Sequence, residues 1–297
     1  MKIRLSGIFS SFSFFALMTS FQPLMAASAE CDRACLESFA NQYYSAIANN
    51  DPALVRLSAD VKYSENGRLL EIGDGHWQST GPESYRMQIF DTLQGGIGTH
   101  AVIPMESGLA VMIVRLKVEA MAISEIEAVV VYEDDDSTFH NAANLAGTKP
   151  SYFWTWEIRE AERNYRHELI SAAEGYFRAF MTEGTPDYVR APLLPDTLRV
   201  ENGMQTTLAG DTAPVGSEME PLTAAAQFDM ALFTGAIIWD RHYPVVDEQT
   251  GTVLAMVRFG GPTGRAVVGE FFAVTQGKIR EIQAVFTTPE IPTTPIW

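Results

Sequence analysis

Histidine, cysteine and basic residues are the scarce types in this chain of 297 residues. Five scattered histidines and two cysteines supply no zinc-type ligand spacing, so no metal is expected. Lys and Arg number 21 against 37 Asp and Glu, a net charge of −16. Such an acidic chain repels phosphate backbones and anionic membrane surfaces, which excludes nucleic acid as the expected partner. Beyond residue 25 no apolar run is long enough to span a bilayer. The Gly-x-Ser-x-Gly elbow, the Gly-x-x-x-x-Gly-Lys loop, the Gly-x-Gly-x-x-Gly fingerprint, the His-Glu-x-x-His helix and the EF-hand loop are all missing. No cofactor is therefore expected.

What is present begins with an export signal. Lys2 and Arg4 precede an apolar, Ser- and Phe-rich stretch from Ile8 to Met25, and Ala27-Ser28-Ala29 offers a small-residue cleavage site. Residues 1–29 are expected to be removed, leaving an exported chain, periplasmic or extracellular, that starts at Glu30. That removes two basic and no acidic residues, so the charge moves from −16 to −18. Cys31 and Cys35 follow at once. In an oxidising compartment they can close a local bridge, whose short loop brings little chain-entropy gain. Their expected role is structural, at a helix start.

An internal repeat organises the rest. Leu36, Phe39, Ala40, Tyr43 and Ile47 form the stripe of an amphipathic helix, and Leu169, Ala172, Ala173, Tyr176 and Phe180 repeat it 133 residues later. Val61–Gly67 and Thr197–Gly203 each read as a strand entering an Asn-Gly turn, 136 residues apart. Helical stretches are expected next, around Pro82–Leu93 and Leu222–Phe233. Closing strands then recur at an offset of 156, as in Ile123–Val129 and Ile279–Val285. About twenty extra residues in the second copy are assigned to loops at Val246–Gly251 and Gly260–Gly264. The order predicts an α+β fold in two domains, 30–132 and 157–297, with 133–156 as linker. The linker carries an acidic patch (Glu133–Asp136) and an aromatic one (Tyr152, Phe153, Trp154, Trp156), the latter expected to pack over or between the domains.

These elements resemble the nuclear-transport-factor-two-like, or SnoaL-like, superfamily, in which a curved antiparallel sheet wraps around helices to form a cone. Arg199-Val200-Glu201-Asn202-Gly203, Pro244–Gly251, Glu270-Phe271-Phe272 with Gly277–Arg280, and Cys31-Asp32-Arg33-x-Cys35 are similar to a secreted family of doubled SnoaL-like proteins. No general activity attaches to that family. Leu198 and His242 depart from its pattern. The resemblance implies two tandem cones that pair within one chain, with an apolar pocket for a hydrophobic small molecule.

Candidate acid–base residues follow from chemistry. Asp240 and His242 lie two apart on an expected strand, so both should share one face, where a carboxylate can orient an imidazole. The competing reading is a solvated strand face. Aligning Pro104 with Pro244 sets His100 opposite Asp240. Glu65 and Glu201, at matched hairpins, are either bases lifted in pKa by desolvation or solvated turn residues. Tyr43 and Tyr176 can donate to an oxyanion or serve as core. His76, Trp77 and Trp239 can stack on a ring-shaped ligand, and Arg258 can steady an anion. The expected function is a cofactor-independent lyase or isomerase acting on an apolar oxygenated molecule, with Asp240, His242 and Glu201 catalytic. The alternative is a non-catalytic exported binder of a hydrophobic ligand.

Overall fold

The computed structural model describes residues 31–208, 222–230, 234–261 and 264–289. The expected leader and the cleavage site fall on residues 1–30 and lie outside them. Cys31 and Cys35 are bridged, with Cα atoms 5.2 Å apart. Asp32 caps the helix that follows, accepting the Cys35 backbone N–H at 2.9 Å, so the bridge encloses the first turn of α1 (Arg33–Ala48).

The chain folds as two similar six-stranded sheets with few helices. The first sheet comprises β1 (Leu57–Glu65), β2 (Arg68–Leu69), β3 (Tyr85–Asp91), β4 (Gly96–Met105), β5 (Gly108–Glu119) and β6 (Ala122–Val131). Its order is β2-β1-β6-β5-β4-β3. The second follows α2 (Arg166–Thr182) and comprises β7 (Leu193–Glu201), β8 (Met204–Gln205), β9 (Ile237–Asp247), β10 (Thr252–Gly261), β11 (Gly264–Thr275) and β12 (Lys278–Thr287). Its order, β8-β7-β12-β11-β10-β9, reproduces the first strand for strand. In each sheet the first long strand joins the last in parallel, and every other pairing is antiparallel.

Two sequence expectations are corrected. Residues 82–93 are not helical: Tyr85, Met87 and Ile89 alternate with polar neighbours, and this period of two makes β3. The later expected helix exists as the short α3 (Ala224–Asp229), capped by Thr223; residues 231–233 lie outside the described ones. The extra residues of the second copy also lie elsewhere. Leu69 and Gln205 match at an offset of 136, whereas Asp91 and Asp247 already match at 156. The insertion therefore falls between β8 and β9, not in the hairpin loops.

Period two also explains how each sheet buries both faces. On β5, Met112, Val114 and Leu116 join the α1 core, while Val111 and Ile113 face the other way. On β11, Val268, Phe272 and Val274 join the α2 core, while Val267 and Phe271 face away. The outward sets of both sheets merge into one shared core with Tyr85, Leu254 and Trp154. The two halves thus pack sheet against sheet within one chain.

The junction is reciprocal. Arg33 Nη1 reaches Asp247 Oδ2 at 2.8 Å, and Arg166 Nη1 reaches Asp91 Oδ2 at 2.6 Å. The same carboxylate oxygens accept backbone N–H groups from the opposite half, Phe90 to Asp247 at 3.2 Å and Val246 to Asp91 at 3.0 Å. Every partner is the repeat equivalent of the other. This is the isologous pattern of a two-fold dimer, realised inside one chain. Near such an axis a residue meets its own twin, and it does so here. A Cβ on Gly269 would stand 2.8 Å from Ile113, and one on Gly98 would stand 3.1 Å from Leu254.

Candidate functional site

Each half buries one polar cluster on the helix-facing side of its sheet. In the first, Glu65 ends β1 beneath a short 3-10 turn (Gly75–Gln78) that carries His76. Glu65 Oε2 accepts His76 Nδ1 at 2.7 Å, the His76 backbone N–H at 2.9 Å and Tyr63 OH at 2.8 Å. Its Oε1 accepts Tyr132 OH at 2.6 Å. The other ring nitrogen of His76 pairs with Tyr43 OH, and Tyr43 packs edge-on against Trp77. With Nδ1 facing the carboxylate, Nε2 is the nitrogen left for the phenol. Gly75 makes room for this: at φ +60°, a Cβ there would lie 2.5 Å from Glu65 Oε2.

Burial alone raises the Glu65 pKa, but the hydrogen bond and charge of His76, with help from Tyr132, outweigh it and hold the carboxyl below its ordinary value. Both readings of Glu65 are therefore corrected: it is neither a base lifted by desolvation nor a solvated turn residue, being buried and held low. Tyr43 and Tyr63 are pushed well up, first by burial and then by neighbouring groups including Glu65. Tyr43 and His76 have no exposed surface. Both Glu65 oxygens and both His76 ring nitrogens are engaged, while the neighbouring Trp77 Nε1 is buried without a hydrogen-bond partner.

The second half places different residues at the same positions. Tyr176 is the twin of Tyr43, Arg199 of Tyr63, and Glu201 of Glu65. Arg199 is buried and donates from Nη1 to Tyr176 OH at 3.3 Å, from Nη2 to Gln227 Oε1, and from Nε to Thr206 Oγ1 at 3.1 Å. Its Nε lies 3.2 Å from Glu201 Oε2, which also accepts Thr206 OH at 2.5 Å. A second carboxyl, Glu270, points to the same side from the middle of β11, alternating in step with Val268 and Phe272. Burial, then the charge of Glu201, raise its pKa to about 8; Arg199 and a hydrogen bond with Tyr176 hold it back only in part. Glu201 is the member of the cluster that reaches solvent, its side chain being 20% exposed. The arrangement gathers two carboxyls, a guanidinium and a phenol into one buried cluster.

The remaining expected residues scatter. Asp240 and His242 do not form a dyad. Asp240 has φ +50°, and between Trp239 and His242 two residues oppose only Val257 of β10, which is a β-bulge. His242 Nδ1 lies 3.4 Å from the Asp240 backbone carbonyl, not its carboxylate, and Nε2 lies 3.1 Å from Glu127 of the first half. The Asp240 carboxylate instead faces Arg258 Nε at 3.7 Å. Trp239 lies over the backbone of Gly260, where a Cβ would come within 2.5 Å of its ring. His100 is wholly buried beside Tyr85 in the core between the sheets, and burial lowers its pKa to about 3. It belongs to β4, whose twin is β10, so its pairing with Asp240 is also corrected.

Glu270 and Arg199 escaped the search for acid–base residues. The available signal was a lone carboxylate inside the apolar run Val267–Val274. Among the described residues, no group of three His, Cys, Asp or Glu could hold a metal ion, and no helix is long and apolar enough to cross a membrane.

Residues 162–286 match a family described as a domain of unknown function, DUF8021. The matched stretch contains Arg199, Glu201 and Glu270. No curated protein matches the chain. Among solved structures, a de novo designed protein with a curved β-sheet is similar at 17% identity and a TM-score of 0.30, over 43% of this chain and 90% of that one.

Proposed function

We propose that the second half is a cofactor-independent lyase or isomerase site, working on a small apolar molecule that carries a carbonyl or hydroxyl oxygen. The observation that carries the reading is Glu270, a buried carboxyl with a pKa of about 8 beside Arg199 and Tyr176. At neutral pH such a group is mostly protonated and can give its proton to a substrate oxygen. In a dehydration, Glu201 takes the proton from carbon and Glu270 protonates the departing hydroxyl, releasing water. The guanidinium of Arg199 and the phenol of Tyr176 steady the negative charge that builds on the carbonyl oxygen. The proton on Glu201 then returns to Glu270, restoring both groups.

The repeat order supports reading each half as a SnoaL-like cone, and the first half as a scaffold whose own cluster is closed by Tyr43, Tyr63 and Tyr132. Export, implied by the leader, would place this chemistry outside the cytoplasm.

The test is solvent deuterium incorporation, followed by proton NMR, with a panel of cyclic ketones and β-hydroxy ketones. Exchange next to the carbonyl should be catalysed by the natural chain and lost, by at least about a hundredfold, in Glu201→Gln, and release of water from the β-hydroxy ketones should fall as far in Glu270→Gln. Exchange that survives Glu201→Gln, or dehydration that survives Glu270→Gln, would contradict the assignment. Tight binding of a panel member without exchange would instead favour the role of a non-catalytic binder.

A further inference from the structure

The aromatic segment between the sheets is not used by the Glu270 cluster. Trp154 is buried and donates from Nε1 to Glu281 Oε1 at 2.8 Å, which anchors the segment on the second sheet. Tyr152 and Trp156 stay 58% and 62% exposed. Large rings left side by side in water commonly mark a recognition surface. With Phe153 and Ile158 they form one wall of a cleft of about 730 Å³, opposite the β11–β12 turn at Gln276 and Arg280. The Arg280 guanidinium lies 4.4 Å over the Phe153 ring, and its Nε is buried without a hydrogen-bond partner. A second cavity of about 490 Å³ shares Asn164 and Gln276 with the first and continues along α2.

We infer that this continuous cleft binds a saccharide chain. Tyr152 and Trp156 meet edge to face at 78°, so a sugar ring presents its C–H face to one of them and offers hydroxyls that both donate and accept. Those hydroxyls can exchange hydrogen bonds with the side-chain amide of Gln276, which lines both cavities. A purely apolar ligand would desolvate polar groups of the cleft without replacing their hydrogen bonds. A peptide adding as a further strand would need a free sheet edge, but β11 and β12 lie inside the sheet, flanked by β10 and β7. Volumes of about 730 and 490 Å³ leave room for more than one ring. The inference is independent of the Glu270 reading.

The experiment titrates the full chain with cellulose-, chitin-, laminarin- and pectin-type hexasaccharides. Each is taken to about 5 mM, enough to load a site of millimolar affinity, and followed by saturation-transfer difference NMR. At least one should bind saturably, with affinity falling about tenfold or more in Trp156→Ala and Tyr152→Ala. Thermal unfolding of both variants should be unchanged, because both side chains are mostly exposed. The proposal is overturned if no member of the panel binds, or if binding ignores both substitutions. It is equally overturned if a proline-rich peptide displaces the sugar, or if the cleft proves to be covered by a second copy whose association Trp156→Ala abolishes.

Discussion

At Glu65 the carboxylate accepts four hydrogen bonds from His76, Tyr63 and Tyr132, while at the matched Glu201 it meets Arg199 and Thr206. Removing the first carboxylate strands several buried donors, so Glu65→Gln should destabilise the fold by about 2–4 kcal/mol. Tyr43→Phe removes a single partner and should cost about 1–2 kcal/mol, both measured by denaturant unfolding. The pH signs of the two halves are opposite. Glu65, held below its ordinary 4.5, contributes stability present above that value and lost as pH falls through its folded pKa. Glu270, raised from 4.5 to about 8, binds a proton when folded that the unfolded chain has released, so stability falls as pH rises from about 4.5 to 8. In Glu270→Gln the melting temperature should lose that decline and exceed the natural chain's above pH 8. The sequence displayed Glu65, Tyr43 and Glu201 as candidates because their positions repeat, and His76 as a ring beside Trp77 that could stack on a ligand. It could not rank them, because pKa depends on which side chains the fold gathers from strands far apart in the chain.

Helix starts and hairpins meet at the crossed pairs Arg33–Asp247 and Arg166–Asp91, where each aspartate also holds a backbone N–H of the other half. Asp91→Ala and Asp247→Ala should each cost about 2–3 kcal/mol. That is below the usual loss for a broken buried pair, because both arginines are partly exposed. Arg33→Ala and Arg166→Ala should cost less, since the backbone bonds persist. Gly269→Val would press on Ile113 and should cost about 1–3 kcal/mol by overpacking. At this scale the helix stripes and Asn-Gly hairpins were legible, because local periodicity dictates them. Strand β3 was mistaken for a helix, because Glu83–Phe90 mixes charged and apolar residues and its alternation shows only once one face is known. The bulge at Asp240 was invisible for the same reason: a period-two argument assumes an unbroken strand.

The whole molecule behaves as a dimer folded from one chain. Its shared core draws Tyr85, Ile113 and Val131 from one sheet and Leu254, Met256 and Phe271 from the other. Neither half alone can cover that face, so a fragment of residues 160–297 should self-associate or unfold, as read by sedimentation and circular dichroism. A stable monomeric fragment would deny that the halves depend on each other. The repeat itself was readable from constant offsets, whereas the face by which the copies join was not. That face is an ordinary alternation of Val, Ile and Leu, and it differs from the helix-facing side only by parity along each strand.

Everything proposed for the second half turns on the protonation of one buried carboxyl. Its most direct test is a carbon-13 NMR titration of the glutamate side-chain carboxyls in the intact chain, with the Glu270 resonance assigned by its loss in Glu270→Gln. The resonance should titrate near pH 8. A Glu270 carboxyl already ionised by pH 5 would contradict the account.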